Sequence, residues 1–402
     1  MRRVAIVAPL RTAVGTFGGT LRPVRAEQLA STVIKALVEQ TGVDPDRIED
    51  VAFAQSYSNS EAPCIGRWAA LDAGLPVEVP GFQLDRRCGG GLQAVITAAM
   101  TVQTGAADVV IAGGVESMSN IEHYTTTARW GSRAGNQTLY DRLDRGRERS
   151  QPVWRFGEIS GMIETAENLA REHGIGRDEA DEFSVRSHRR AAAAWESGAF
   201  KDEIVPVEVP QRKADAVVFD RDEGVRPESS PETLGRLRAI MPDGTVTAGN
   251  AAQQNDAAAA CLVVAEDRLD ELGLEPIAWF EGWAAVGCEP SMMGIGPVGA
   301  AKKLLARADL GFDDLDLIEI NEAFAVQVLS VLMGWGVSLA EVEDRLNVNG
   351  SGISLGHPIG ATGGRILATM LHELKRRQGT YALETMCIGG GQGIAALFKG
   401  VS

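Results

Sequence analysis

The most constraining feature of the sequence is an order of elements that occurs twice along the chain. In the first copy, a strand predicted over Gly81–Leu84 runs into a glycine-rich turn, Asp85–Gly91. A helix of small, apolar residues is predicted over Leu92–Thr104, and a core strand over Asp108–Ala112 ends at Gly113–Gly114. Strands that alternate with helices in this way predict an α/β fold with a buried sheet.

The second copy lies near the end of the chain. A glycine-rich turn through Gly360 leads to a small-residue helix predicted over Ala361–Lys375, and a strand over Tyr381–Met386 leads to Gly389–Gly391. The two copies match in their order more than in residue identity, and this predicts two duplicated halves. Related halves place a site where the starts of their equivalent helices meet.

The region between the two copies has a different character. From about residue 120 to residue 247 the charge rises and the apolar runs shorten, with helices predicted over Met162–His173 and Asp178–Ser197. Seven arginines crowd one stretch of it: Arg129, Arg133, Arg142, Arg145, Arg147, Arg149 and Arg155. This region is predicted to be an insertion over the core. Its arginines either attract anionic groups or form a solvated or subunit-contact surface.

Charge and cysteine content exclude some classes of protein. A net charge of −15 over 402 residues argues against a nucleic-acid binder with a basic surface. No segment has the apolar length of a membrane span, and the N-terminal apolar run is too short for a signal peptide. The five cysteines are odd in number and form no CxxC pair. We therefore expect no metal site and a reducing, cytoplasmic location.

Cys88 is the strongest single candidate for chemistry. It lies between a strand and a glycine-rich helix start, where free N–H groups favour thiolate over thiol. The alternative is a small buried apolar residue, the usual role of a free cysteine. That alternative is preferred for Cys64, Cys261 and Cys288, which we expect in the core.

His357 is the candidate base. It lies among glycines from Gly350 to Gly364, and Pro358 fits the first turn of the helix that follows. A rigid turn of this kind can hold an imidazole for proton transfer, although a histidine can also cap a turn. By contrast, His173, His188 and His372 lie in charged helical stretches, and we expect them to face solvent.

Two further residues follow predicted strands. Cys387 precedes a run of glycines whose N–H groups can form an anion nest, which is a candidate oxyanion hole. Asn321 follows a strand predicted over Leu315–Ile320 and stands at the start of a helix predicted over Glu322–Met333. Its simplest interpretation is helix N-capping. Neither a P-loop nor a GxSxG motif is present, and the glycines near Gly350 have the wrong spacing for a dinucleotide loop.

Taken together and in order, seven motifs resemble the thiolase family over nearly the whole chain. They are Arg11-Thr12 with Gly15–Gly19, Cys88–Leu92, Gly113–Ser119, Thr247–Ala251, Asn321–Phe324, Gly356–Gly360 and Cys387–Gly391. The resemblance implies the thiolase fold, which has two βαβαβαββ halves in five α-β-α-β-α layers and a covering loop domain. The implied domains are 1–120 plus 248–270, a loop domain over 121–247, and a second half over 271–402.

The resemblance also implies a chemistry and a set of roles. Thiolases make or break a carbon–carbon bond between acyl-CoA thioesters in ping-pong steps. Cys88 would be the nucleophile, His357 its base and Cys387 the acid for the leaving enolate. Asn321 would position a water in one oxyanion hole, and the N–H groups of Cys88 and Gly389 would form the other.

Binding residues and partners follow from the same resemblance. Six positions would contact CoA: Met162, Arg226, Ala248, Ala252, Ala323 and Phe324. Ala252 stands where the family usually has serine, which removes one pantetheine hydrogen bond. CoA would act as co-substrate with no tightly bound cofactor, in lipid metabolism such as fatty acid β-oxidation. The protein would form a homo-oligomer, either tetramer or dimer, with no nucleic-acid or membrane partner.

Three alternative functions can be distinguished from a thiolase by features of the sequence. A ketoacyl synthase of the same fold carries a Cys-His-His or Cys-His-Asn pattern without a second cysteine, and Cys387 with Asn321 argues against it. A non-catalytic, thiolase-like partner that binds acyl or sterol groups usually lacks one catalytic motif, whereas all four are present here. An NAD-dependent dehydrogenase would need a dinucleotide fingerprint that the sequence lacks.

Overall fold

The structure, a computed structural model, describes residues 1–401 and has the α/β architecture that the repeated order predicts. Its strands are β1 Val4–Thr12, β2 Gly15–Thr16, β3 Asp50–Ala54, β4 Phe82–Leu84, β5 Val109–Ser117, β6 His123–Tyr124, β7 Tyr140–Asp141, β8 Ile204–Val205, β9 Val207–Val209, β10 Val217–Phe219, β11 Asn255–Ala265, β12 Ala278–Gly287, β13 Leu317–Ile320, β14 Tyr381–Ile388 and β15 Gln392–Gly400. Ser402, the last residue of the predicted second half, lies outside the described residues.

The α-helices alternate with these strands in each half and also fill the insertion. They are α1 Ala26–Thr41, α2 Ile65–Asp72, α3 Gly90–Gln103, α4 Arg142–Glu148, α5 Val153–Phe156, α6 Met162–His173, α7 Arg177–Ser197, α8 Pro231–Gly235, α9 Leu269–Leu272, α10 Gly296–Ala308, α11 Ala325–Trp335 and α12 Thr362–Arg377. No helix within residues 1–401 is long and apolar enough to cross a membrane.

Sheet topology shows the duplication directly. The main path runs β13-β14-β15-β12-β1-β11-β5-β3-β4. In the first half β3 is parallel to β5, and β5, β11 and β1 follow antiparallel. In the second half β13 is parallel to β14, and β14, β15 and β12 follow antiparallel in the same way. The halves meet where β1 pairs with β12 over the short register Ala5↔Trp279 and Ile6↔Ala278.

Three apolar cores fill the space between five layers, because the middle core reaches the strands on both sides of the central helices. The first core packs α1 and α2 on the outer face of the first half, and the third packs α10 and α11 on the outer face of the second. The middle core contains α3 and α12, which pack between the strands of the two halves. Strand β1 illustrates this arrangement, because Ala5 and Val7 face the first core while Val4 and Ile6 face the middle one. A strand buried on both faces needs such a continuous apolar run.

Glycines let the two central helices approach closely. A Cβ on Gly363 of α12 would lie 2.1 Å from the nitrogen of Leu92 in α3, and a Cβ on Gly91 would lie 2.8 Å from the nitrogen of Gly364. Any side chain there would force the helices apart. This contact brings the starts of α3 and α12 together, as the duplication predicts.

Two element boundaries differ from the sequence-based expectation. The strand expected to end at Gly113–Gly114 continues to Ser117, because β11 pairs with it throughout and the Gly360 carbonyl oxygen lies 2.0 Å from where a Gly114 Cβ would be. The helix expected from Glu322 begins only at Ala325. Residues 321–324 instead form a loop, in which Phe324 makes a β-bridge with Ala251.

The chain between β5 and β11, where the insertion is predicted, contains α4 to α8 and two small antiparallel hairpins, β6-β7 and β9-β10. It is joined to the core through β8, which pairs in parallel with the end of β1. Buried charges reinforce this contact, because Arg11 of β1 binds Glu203 at 2.6 Å and Asp222 at 2.7 Å. The insertion therefore packs against the core and is not a separate appendage.

Candidate active site

Cys88 lies in a short 3₁₀ turn, Arg87–Gly89, directly before α3. Arg87 has a φ of +47°, and its N–H donates to Asp85 at 2.6 Å, which fixes the turn. Burial raises the pKa of the half-buried Cys88 thiol, although the Gly389 N–H and the Arg87 charge oppose this. The expectation that the helix start favours thiolate is thus outweighed by burial, and the resting group is a thiol.

His357 is held on one side of its ring by polar groups. Its Nδ1 lies 2.7 Å from Thr362 Oγ1 and 3.5 Å from Asn321 Nδ2, and its backbone N–H donates to Asn255 Oδ1 at 2.8 Å. Burial, with smaller effects from Arg365 and Arg147, lowers the pKa of His357 to about 3. The imidazole is therefore neutral at neutral pH and able to accept a proton.

Pro358 was expected in the first turn of the helix after His357, but it lies before that turn. The structure begins a 3₁₀ turn at Ile359 and α12 at Thr362, so Pro358 is the residue that precedes the turn. Its ring still fixes the backbone next to His357.

Cys387 is fully buried near the end of β14. Burial raises the pKa of its thiol well above the ordinary value, and the nearby Cys88 and Cys288 raise it further. The next residues turn sharply, because Gly390 and Gly391 have φ values of +90° and +87°. The Gly389 N–H in this turn is close enough to the Cys88 sulfur to oppose the rise of its pKa.

Asn321 follows β13 and is buried in the loop before α11. Its backbone N–H donates to the Thr385 carbonyl at 3.0 Å, and its Nδ2 approaches the His357 ring. Its Oδ1 has no protein partner among residues 1–401. The expected N-capping role is wrong, because α11 starts four residues later with Phe324 at its cap.

Four of the six expected CoA contacts lie around Cys387 or along the strand-like loop beside it. Met162, Ala323 and Phe324 pack in one apolar cluster with Cys387. The Ala252 N–H donates to the Ala323 carbonyl at 2.9 Å. The sulfur of Met162 also lies 3.3 Å from where a Gly389 Cβ would be. These residues form one wall beside the second thiol.

The other two expected CoA contacts lie farther out. Ala248 is exposed in a turn that Asn250 fixes by accepting the Thr247 N–H at 2.8 Å. Arg226 is also exposed, and its backbone N–H donates to His188 Nδ1 at 3.2 Å. The described contacts do not bring Arg226 to the thiols or to His357.

Several residues that support the site were not expected from the sequence. Glu116 of β5 is buried and accepts backbone N–H bonds from Ser56, Tyr57 and Gly360 at 3.1 to 3.2 Å. Burial raises its pKa to about 7. Glu322 is buried too and accepts from Ser187 at 2.6 Å. In the sequence, the one sign of these buried carboxyl groups is an acidic residue in or next to a strand, with no charged neighbour.

Three expectations about other residues are wrong. His188 is only 3% exposed, because its face of α7 packs inward even though the helix is highly charged. Cys64 is exposed at the start of α2, and Cys288 is half-buried. Cys261 is in the core as expected, within β11.

Two duplicated halves and their paired central helices define the class of this protein. Sequence profiles of the thiolase N-terminal domain and the thiolase C-terminal domain match residues 4–267 and 274–400. The chain belongs to the thiolase family.

Individual relatives agree over the whole length. The chain is 49% identical over 396 residues to an acetyl-CoA acetyltransferase of Chromobacterium violaceum, covering 98% of each chain. It superposes on the Bacillus anthracis acetyl-CoA acetyltransferase with a TM-score of 0.95 at 40% identity, covering 100% of this chain and 99% of the other. For human mitochondrial 3-ketoacyl-CoA thiolase the TM-score is 0.93 at 37% identity, with the same coverage.

Proposed function

We propose that this protein is a CoA-dependent thiolase, an acyltransferase that cleaves 3-ketoacyl-CoA to acetyl-CoA and a shortened acyl-CoA, or runs the reverse condensation. One observation carries the proposal: the turn that holds Cys88 packs against β14, which holds Cys387, and against the turn that follows His357. Burial raises the pKa of both thiols and lowers the pKa of His357 to about 3. A carbon–carbon cleavage needs this set, because one thiol attacks while the other supplies a proton.

In the cleavage direction, the Cys88 sulfur attacks the keto carbon and His357 accepts the thiol proton. The bond between the α-carbon and the keto carbon breaks, and its electron pair leaves with the acetyl-CoA enolate. Cys387 protonates that enolate, which leaves an acyl thioester on Cys88. The thiol of a second CoA then takes the acyl group, and the protons return to Cys88 and Cys387.

Each charged intermediate has a donor set in this proposal. The N–H groups of Cys88 and Gly389 stabilise the oxyanion formed on the keto oxygen. His357 and a water held by Asn321 stabilise the thioester oxygen of the enolate. The unpartnered Asn321 Oδ1 and the Nδ2 that points to His357 support this second set.

The proposed CoA contacts begin at the residues that pack beside Cys387. Met162, Ala323 and Phe324 line the inner pantetheine channel, and Ala248 and Ala252 its outer part. Arg226 contacts the nucleotide end. Alanine at position 252 offers no hydroxyl, so the backbone carries the polar contacts of that segment.

The setting of the enzyme is part of the proposal. The domain division is 1–120 plus 248–270, 121–247 and 271–402. We assign the enzyme to the cytoplasm, as a homotetramer or dimer acting in lipid metabolism such as fatty acid β-oxidation. The relatives named acetyl-CoA acetyltransferase and 3-ketoacyl-CoA thiolase support acyl-CoA and CoA as its substrates.

A direct assay tests this function. Acetoacetyl-CoA mixed with CoA and the protein is expected to lose its enolate absorbance and release acetyl-CoA. The Cys88→Ala variant serves as the control, with no turnover above background. Absence of turnover with short, medium and branched 3-ketoacyl-CoA substrates would contradict the proposed function.

A further inference from the structure

His188 makes a single polar contact that ties helix α7 to an exposed turn. Its Nδ1 accepts the backbone N–H of Arg226 at 3.2 Å, and the ring is almost completely buried. Burial and, to a smaller extent, the Arg226 charge lower the pKa of His188 to about 4, although the Glu228 charge opposes this. The imidazole is therefore neutral, with an acceptor at Nδ1 and its proton on Nε2.

The turn that His188 holds is otherwise open to solvent. Arg226, Pro227 and Glu228 are exposed, and the Ser229 N–H closes the turn by donating to the Arg226 carbonyl at 3.1 Å. A hydrogen bond to the first N–H of an exposed turn fixes the position of its main chain while the side chain stays free. The main chain of Arg226 is thus fixed, while its guanidinium is free to contact a ligand.

The same helix holds two other segments through buried side chains. Asp181 accepts from Asn250 Nδ2 at 2.9 Å, which fixes the segment that carries Ala248. Ser187 donates to Glu322 at 2.6 Å, which fixes the loop that carries Asn321. Seven residues separate the first of these contacts from His188, about 10 Å along a helix. Helix α7 therefore spaces three segments that approach CoA from different parts of the chain.

We propose that His188 is a positioning residue for the nucleotide end of CoA: it holds the Arg226 turn in register with the two segments that α7 fixes through Asp181 and Ser187. The inference rests on the proposed function, because the contact between Arg226 and CoA is part of it. Nothing in the chemistry of bond cleavage involves His188, which touches neither thiol among its described contacts.

The test compares two substitutions in the thiolysis assay. His188→Leu removes the acceptor and is expected to raise the KM for CoA about 3- to 10-fold, the effect of one lost hydrogen bond, with kcat little changed. His188→Gln keeps an acceptor oxygen near the same place and is expected to restore most of the affinity. A matched control is His372→Leu, since His372 contacts the Pro9 carbonyl at 3.1 Å on another helix.

A shortened form of CoA distinguishes a positioning role of His188 from a purely structural one. Pantetheine lacks the nucleotide, so the KM for pantetheine is expected to be the same in wild type and His188→Leu. In an Arg226→Ala background, His188→Leu is expected to add little further loss for CoA. Where His188→Leu does not fold, His188→Phe removes the acceptor while it keeps an aromatic ring in the same buried place, and the same change in the KM for CoA is expected.

The outcomes separate this inference from the function beneath it. Wild-type turnover with an unchanged KM for CoA in the folded variants overturns the role of His188 alone. An equal loss with CoA and with pantetheine also overturns it, because a general structural defect would then explain both. Absence of wild-type turnover overturns the proposed function, and the role of His188 falls with it.

Discussion

At the scale of single residues, the candidate site keeps its proton-transfer groups uncharged. Burial raises the pKa of Cys88 and of Cys387, while it lowers the pKa of His357 to about 3. A resting thiolate–imidazolium pair is therefore disfavoured. Proton transfer to His357 must accompany attack by sulfur, and the nearby Gly389 N–H is placed to stabilise the charge that develops.

Removal of Cys387 is expected to show that the two thiols have different roles. Cys387→Ala should still form an acyl-enzyme on Cys88, because the nucleophile and its base remain. It should lose exchange of the α-protons of acetyl-CoA with deuterated water by at least about 100-fold, the usual scale of general acid–base catalysis. Proton NMR of acetyl-CoA measures this exchange. Exchange at the wild-type rate would show that another group moves the proton.

The chemistry of the site is readable from the sequence only where glycines mark it. The glycines around Cys88, His357 and Cys387 made all three residues candidates, because a ligand can approach the backbone closely there. Asn255 and Thr362 hold His357 through contacts that only the fold creates. His188 was misplaced because charge on α7 suggested exposure, although its own face packs inward.

At the scale of elements, one buried polar cluster joins β13, β14 and α12 behind the site. Glu319 of β13 lies opposite Glu384 of β14, and Arg365 of α12 is buried near both. Both carboxyl oxygens of Glu384 and two nitrogens of the Arg365 guanidinium are buried without a hydrogen-bond partner among residues 1–401. Burial raises the pKa of Glu319 to about 8 and that of Glu384 well above its ordinary 4.5.

This cluster predicts a pH dependence of stability with a definite sign. Above about pH 4.5 the unfolded chain releases protons that the folded state keeps on Glu319 and Glu384, so the free energy of unfolding falls as pH rises toward 8. Glu384→Gln mimics the protonated form, and its advantage over wild type should grow by up to about 1.4 kcal/mol per pH unit. Urea unfolding from pH 5 to pH 8.5 measures it. A difference in unfolding free energy that stays constant with pH would contradict the raised pKa of these two carboxyl groups.

The order of elements was predictable, but some of their ends were not. The duplicated pattern and the small-residue helices gave the two halves and their meeting point. The sequence misplaced the end of β5 because Gly113 and Gly114 are typical of turns, whereas here they admit neighbouring backbones inside a strand. The delayed start of α11 depends on the Phe324–Ala251 bridge between distant segments.

At the scale of the whole molecule, one arginine ties three regions together. Arg11 of β1 is fully buried and pairs with Glu203 and Asp222 from the insertion. Glu203 also accepts a hydrogen bond at 2.7 Å from Thr369 of α12, in the second half. The first half, the insertion and the second half thus converge on one fully buried charge cluster.

Removing that arginine should destabilise the fold as a whole. Arg11→Leu leaves two carboxylates buried without a cation, and the expected loss is about 3–5 kcal/mol of unfolding free energy. The control Arg268→Ala breaks a more exposed pair with Asp108 and should cost at most about 1 kcal/mol. Chemical denaturation followed by circular dichroism compares the two. Equal effects would mean that the buried cluster does not join the three regions.

The most direct test of the whole account is the intermediate on Cys88. Wild-type protein incubated with acetoacetyl-CoA without free CoA, quenched in acid and weighed intact, should carry one acetyl group, and peptide mapping should place it on Cys88. Addition of CoA before the quench should remove it, and Cys88→Ala should carry no acetyl group. An acetyl group that maps to another residue, or that persists in Cys88→Ala, would contradict the assignment of Cys88 as the nucleophile.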